Sequence, residues 1–242
     1  MKALLRWFAL VLAAALALQL FFALRIGLMA WLDPQSSSVQ RAQAWQILQR
    51  QGRLPWRQEW VDAQALPDTL RRAVIAAEDS TFAQHGGVWW DSIEKAWARN
   101  QQAQARAERL ASRQGREVSP RIVGGSTITQ QLAKNLFLSG ERNLLRKGQE
   151  LLLTLMLEAL LDKRRILTIY LNTVEWGEGV FGAEAAAQHY FRKPALQLNA
   201  WESARLAVML PRPRHFEDRP GSPYLQERAR TIVARMPEVR LP

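Results

Sequence analysis

Every position from Trp7 to Leu24 is apolar except Gln19. A helix needs about that many residues to cross a bilayer. Lys2 and Arg6 come before the run, which favours a cytoplasmic N-terminus and an exported remainder. Arg25 follows with a stem long enough to snorkel to the far interface, and Ile26 to Leu32 prolong the apolar character. Small residues around Ala13 to Ala17 also suit a cleaved signal peptide, but the run is long for a signal core and continues well past them. The pattern predicts an uncleaved anchor over residues 1–32.

Residues 33–65 are polar, with Ser36-Ser37-Ser38 and scattered Trp, Gln and Arg, and predict a juxtamembrane connector holding one helix. From residue 66 to 242 helical spacing dominates and predicts one domain. Pro67-Asp68 predicts a helix start with Asp68 as cap, followed by Leu70, Val74 and Ile75. Thr127 and Gln130 stand at capping-box spacing. Arg142 to Leu161 predicts a long helix, buried in the domain centre because Leu151 to Leu157 is apolar on nearly every side. Asp162 opens a further helix ending near Asn172. Gly177, Gly179 and Gly182 predict a loop before an alanine-rich helix ending at Tyr190-Phe191. Asn199 and Glu202 cap the next helix, which Pro211 ends, and a last one runs from Tyr224 to Arg235. No sustained strand alternation or repeat interrupts this, so the fold class is mainly α.

Composition agrees with a packed domain, since hydrophobic residues make up 48% of the 242. The formal net charge of +11 points to anionic partners: nucleic acid, an acidic membrane surface or a diphosphate. An anchor that exports the domain argues against nucleic acid. The absence of cysteine excludes disulfides and Cys-ligated zinc, and three histidines without an HExxH pattern give no zinc site. The basic stretch 98–121 reads first as a solvated face, with a mobile flap touching anionic lipid as its functional alternative.

Two stretches carry candidate chemistry. In Gly124-Gly125-Ser126-Thr127 and the helix that follows, glycines allow close approach and an uncovered helix start attracts anions. Gln131, Lys134 and Asn135 then share one face, which suits a phosphate or pyrophosphate, although an ordinary capped surface helix has the same spacing. The adjacent acids Glu78-Asp79, with Phe82 and His85 close behind, form the second stretch. A carboxylate against an apolar wall has its pKa raised toward a range useful for proton transfer, while a solvated acid pair ending a helix is the plainer reading. Arg146, Lys147 and Glu150 at the entrance of the long helix read either as a salt bridge or as a site.

Taken in order, these stretches resemble the peptidoglycan glycosyltransferase family. Glu78-Asp79-x-x-Phe82-x-x-His85-x-Gly87, then Gly124 to Leu138, then Arg146-Lys147-x-x-Glu150 are similar to its first three motifs. Arg165-Ile166-Leu167-x-x-Tyr170-Leu171-Asn172 and Gly179-x-x-Gly182-x-x-x-Ala186-x-x-x-Tyr190-Phe191 are similar to the fourth and fifth. Thr168 departs from the pattern, standing where many members have a glutamate, and the segment between the first two motifs is long. The resemblance implies a lysozyme-like fold with a membrane-contacting lobe, and a monofunctional enzyme without a transpeptidase domain. It implies polymerisation of lipid II onto a glycan chain held on undecaprenyl diphosphate, inverting an α-linked donor to a β-1,4 product. Glu78 is then the general base and Glu150 the second catalytic acid, which orients Arg146 and the diphosphate. Lys134 and Arg146 stabilise the leaving diphosphate, with Ser126, Thr127, Gln131 and Lys147 beside them, and Asp79, Phe82 and His85 shape the cleft. No cofactor is tightly bound, with room for a divalent cation (Mg or Mn) at the diphosphate. Membrane lipids and division or elongation complexes are the implied partners, at the bacterial inner membrane with the catalytic domain on its outer face. A lytic enzyme cleaving the same glycan and an inactive anchored scaffold remain the alternatives.

Overall fold

The computed structural model describes residues 2–89, 101–110, 126–138 and 143–242. Gly124, Gly125, Arg142 and all of the basic stretch 98–121 except 101–110 lie outside the described residues.

The chain is mainly helical, as its spacing predicts. The apolar helix α1 (Lys2–Leu28), long enough to cross a bilayer, is followed by α2 (Ser38–Gln51), capped by a Ser37–Gln40 capping box and closed by Gly52. Strand β1 (Arg57–Gln58) and a single 3₁₀ turn lead to α3 (Asp68–Glu78). Pro67, not Asp68, occupies the cap of α3; Asp68 is already helical and forms an ion pair with Arg71 at 3.2 Å. Residues 101–110 form helix α4. Then come α5 (Ile128–Phe137), α6 (Leu144–Leu160) and α7 (Lys163–Thr173). The glycine-rich stretch is a tight hairpin of β2 (Glu175–Gly177) and β3 (Val180–Phe181), where a loop was predicted. Helices α8 (Ala183–Phe191), α9 (Ala200–Met209), α10 (Pro213–Glu217) and α11 (Pro223–Arg235) complete the chain.

Packing divides the helices into two groups around one core. Helices α3, α9 and α11 pack together, and α5 packs against α6 and α7. Leu70, Ile75, Phe82, Ile128, Leu132, Leu136, Leu153, Ile169 and Trp176 are all fully buried in the core they share. Helix α6 is not buried all round. Glu150, Leu153, Thr154 and Leu157 face inward, while Leu144, Leu145, Leu152, Leu155 and Leu160 are exposed. One face of leucines suffices to fill the core, so the apolar surplus of this helix lies outside.

The stretch 33–65 is more than a tether. β1 pairs in parallel with β3, Arg57 opposite Val180 and Gln58 opposite Phe181, and Trp56 stacks on Phe181. Two glycines make this possible. Gly179 has φ +73, and a Cβ there would lie 2.1 Å from the Pro55 carbonyl oxygen. Gly182 has φ +85, and a Cβ there would lie 2.8 Å from the Asn172 carbonyl oxygen. Asn172 also grips the connector, accepting from Val61 N at 2.9 Å and donating to Val61 O at 3.0 Å. The motif glycines and asparagine are thus used to hold the connector against the domain.

Candidate active site

Helix α3 ends by delivering its two acids to different places. Asp79 leaves the helical conformation (φ −160, ψ 73) and turns inward, where its side chain is almost wholly buried. It accepts from His85 Nε2 at 2.8 Å and from Ile128 N, the first residue of α5, at 3.1 Å. The backbone N–H of Gly87 donates to His85 Nδ1 at 3.1 Å, so Nδ1 is the acceptor and Nε2 carries the hydrogen. Thr127 closes the ring by donating its hydroxyl to the Gly87 carbonyl at 2.6 Å. The same hydroxyl accepts from Gln130 N, and the Gln130 side chain accepts from Thr127 N, completing the predicted capping box. These bonds bolt the first acidic stretch to the start of α5.

The bolt narrows one expectation. Two of the N–H groups at the start of α5 are not free for a phosphate, because Asp79 and Thr127 already take those of Ile128 and Gln130. A carboxylate from the same chain supplies the negative charge that the helix dipole favours. The three residues predicted to shape the cleft are covered by the chain itself. Phe82 is fully buried in the core, with the Lys163 ammonium 4.4 Å from its ring centroid, and the Asp79 and His85 side chains are almost entirely covered. Thr127 is also buried, whereas Ser126 is exposed at the entrance.

Glu78 is the acid left at the surface of the site. Gln131 Nε2 donates to Glu78 Oε2 at 2.7 Å, and Tyr170 OH donates to Gln131 Oε1 at 2.8 Å. Burial, the largest influence, raises the Glu78 pKa; the Gln131 bond lowers it, Asp79 raises it, and Arg228 and Lys134 lower it. The net direction is upward, as a base that works near neutrality requires. Tyr170 is completely buried, and burial together with Glu78 and Asp79 drives its pKa well up, so it remains a phenol and a donor.

The cations lie one helix over. Arg146 Nη1 donates to Glu150 Oε2 at 3.0 Å, and Lys147 Nζ bonds the other oxygen, Oε1. Glu150 is buried, and its backbone carbonyl accepts from Thr154. Lys134 is exposed on α5 and has no carboxylate within ion-pair distance among the described residues. Partial burial lowers its pKa most; Glu150 raises it, Arg146 and Lys147 lower it, and Glu78 raises it. It therefore lies within electrostatic reach of both predicted acids. Arg146 Nε is buried and has no hydrogen-bond partner among the described residues, in a side chain with two further cations, Lys134 and Lys147, near it.

The structure thus gathers Glu78, Gln131, Lys134, Arg146, Lys147 and Glu150 around one place. The sequence profile of the transglycosylase family matches residues 46–237. The chain belongs to the transglycosylase family. Curated relatives agree in name. It is 51% identical to the biosynthetic peptidoglycan transglycosylase of Burkholderia pseudomallei (strain K96243), over 98% of this chain and 88% of that protein. It is 52% identical to the protein of the same name from Burkholderia thailandensis, over 95% and 84%. With that of Paraburkholderia xenovorans it shares 46%, over 97% and 91%. The family match begins at residue 46, inside the predicted connector, in keeping with the pairing of β1.

Two contributors to this transglycosylase's site had no role in the sequence reading. Tyr170 fell in a motif but showed no chemistry, because only the fold puts α7 behind Gln131. Glu158 accepts from Thr129 Oγ1 at 2.5 Å and from Lys163 Nζ at 2.8 Å, tying α5, α6 and α7 together. An acid inside the otherwise apolar leucine run was the signal for it.

Proposed function

We propose that this transglycosylase polymerises peptidoglycan glycan strands from lipid II, with Glu78 as general base. Glu78 takes the proton of the acceptor's 4-hydroxyl while that oxygen bonds to the anomeric carbon of the donor. The bond from that carbon to the diphosphate breaks, and the lipid diphosphate leaves with the electron pair. Attack opposite the leaving group inverts an α-linked donor to a β-1,4 product. The charge that grows on the diphosphate needs fixed cations, which act strongly in a partly desolvated site.

The observation that carries this reading is the arrangement around Arg146. Its Nη1 is held by Glu150, which fixes the direction of the guanidinium, while its buried Nε has no partner among the described residues. Guanidinium donors suit phosphate oxygens, and Lys134 and Lys147 add compact charge on either side. Glu150 is therefore an orienting carboxylate. It does not fit a resident Mg or Mn ion, because both its oxygens are already bonded to cations, and no three acidic or histidine side chains gather to hold a metal among the described residues. The three basic side chains supply the charge balance instead.

A membrane site supports a lipid-linked substrate. Helix α1 is 27 residues long and apolar, and none of its residues from Lys2 to Arg25 is buried. Leu144 and Leu145, 90% and 88% exposed, place apolar side chains directly beside Arg146 and Lys147. We place the protein in the bacterial inner membrane, its N-terminus cytoplasmic and its site on the outer face. The test is polymerisation of labelled lipid II by the purified full-length protein. A muramidase-sensitive ladder that disappears in Glu78→Gln is expected. A ladder from both proteins removes Glu78 as base, and no polymer from either removes the activity.

A further inference from the structure

The single polar residue in the anchor's apolar run has a partner. Gln19 Nε2 donates to Gln149 Oε1 at 2.9 Å, and Gln149 Nε2 returns the bond to Gln19 Oε1 at 3.1 Å. Both amides use a donor and an acceptor on each other, the arrangement that leaves the least polar surface exposed to an apolar surrounding. Gln149 lies on α6 between Lys147 and Glu150, within a turn of Arg146. Gln19 is nine residues before the end of α1, about 14 Å along the helix axis.

The rest of the contact is apolar or near the interface. Phe22 meets Phe137 edge to face at 5.5 Å, and the Arg25 guanidinium lies 5.2 Å from the same ring centroid. Ile26 and Met29 are buried in the domain core. Positions 19, 22, 26 and 29 form one helical stripe. At its far end Arg165 donates to the carbonyls of Met29 at 2.6 Å and Leu32 at 3.0 Å and pairs with Asp33 at 2.8 Å.

Apolar side chains hold two helices together but specify their register poorly. A slip of one turn still sets leucine or phenylalanine against leucine, yet displaces one helix by about 5.4 Å. A lone polar pair in an apolar seam removes that freedom, because any other register leaves two amides unpaired. Here the helix being registered is α6, which carries the cations, and the helix it is registered against is the anchor.

We propose that the Gln19–Gln149 pair is a depth gauge: it fixes α6 along the anchor so that Arg146, Lys147 and Glu150 meet the membrane at the level of a lipid-linked diphosphate. The proposal rests on the membrane-anchored, lipid-diphosphate reading above. Gln19 is then a positioning residue, since it touches neither substrate nor the reacting atoms. A helix that merely tethered the domain would tolerate leucine at position 19, and its partition into the bilayer would improve.

The test uses full-length protein in phosphatidylethanolamine/phosphatidylglycerol vesicles containing labelled lipid II, compared with the same protein in detergent. Gln19→Leu, Gln149→Leu and the double variant are assayed for flotation, thermal stability, kcat and KM. Each single variant is expected to raise KM in vesicles about tenfold with a smaller change in detergent, where no bilayer sets the depth. The double variant regains stability, because neither amide is left alone, but keeps the raised KM, because the register is still unspecified. Recovery of both together would reduce the pair to a structural contact and overturn the proposal, as would a wild-type KM for Gln19→Leu in vesicles. A second arm exploits the lack of cysteine in the chain. Gln19→Cys/Gln149→Cys, joined in vesicles by a short bifunctional thiol reagent, is expected to keep its activity; inactivation by the link, or no link at all, also overturns the gauge. Wild-type protein that fails to float with vesicles would instead sink the anchored reading on which the gauge depends.

Discussion

Tyr170 sets the orientation of Gln131. Its hydroxyl donates to the glutamine carbonyl oxygen, which turns the amide nitrogen toward Glu78. The reverse orientation would point a carbonyl at a carboxylate. The phenol and the ionised acid thus select the same rotamer from opposite ends, and protonation of Glu78 removes one of the two constraints.

Tyr170→Phe should therefore alter the acid limb of the pH–rate profile. The Gln131 bond lowers the Glu78 pKa, so a glutamine free to turn lets that pKa rise further. Activity, which requires the ionised base, is then lost at a higher pH on acidification. One neutral hydrogen bond is worth about 0.5–1.5 kcal/mol, so the limb should move up by about half to one pH unit. A profile that keeps its acid limb and loses only height would assign Tyr170 to packing alone.

Glu78→Gln should separate stability from activity. A general base contributes about 10²–10⁴-fold, so kcat should fall in that range. Stability should move the other way at neutral pH. The folded-state pKa of Glu78 lies above the usual 4.5, so this acid binds its proton more tightly folded than unfolded, and its contribution to stability is lost as pH rises through that interval. Removing the charge lifts that penalty. Thermal unfolding at pH 7 should show the variant at or above the wild-type melting temperature, and a clear drop would contradict the assigned pKa direction.

Arg146→Lys keeps the charge but removes the fork and the unpaired Nε. Charged hydrogen bonds contribute about 1.5–3 kcal/mol, so kcat/KM should fall about 10- to 100-fold with little loss of stability. Unchanged kinetics would show that bulk positive charge is enough.

Chelation should leave the rate unaffected. With both Glu150 oxygens bonded to Arg146 and Lys147, dialysis against EDTA is expected to retain polymerisation in full. A loss reversed specifically by Mg or Mn would mean that the ion displaces one of those cations during turnover.

Gly179→Ala should unfold the connector's docking. Strain at φ +73 and the clash with the Pro55 carbonyl together should cost about 1–3 kcal/mol. Gly52→Ala is the control: with φ +64 and open space around it, it carries the strain without the clash and should cost less than Gly179→Ala. Equal melting temperatures for the two variants would argue that β1 contributes nothing.

The helices were legible in the sequence because capping and periodicity are local signals. Capping boxes at Thr127–Gln130 and Asn199–Glu202 lie within four residues, and the structure forms each as the spacing predicts. Long-range pairing was not legible. Nothing near Asp79 reveals that it would cap a helix beginning 49 residues later, taking the N–H of Ile128. The exposed leucines of α6 were misread for a related reason: periodicity shows that a helix has apolar sides but not which of them a neighbour covers. Gln19 looked like a blemish in the anchor until α6 supplied its partner.

The clasp of Asn172 on Val61 joins residues 111 apart in the chain. During synthesis the connector emerges early, whereas its hydrogen-bonding partners, α7 and the β2–β3 hairpin, come out more than a hundred residues later. Helices with local contacts can form as they appear, but contacts that close so long a loop form late. Strand β1 therefore docks toward the end of folding, after the residues around Glu78 and Lys134 have been synthesised. Nascent domains stalled before residue 182 should still carry an open connector, a natural target for quality-control proteases.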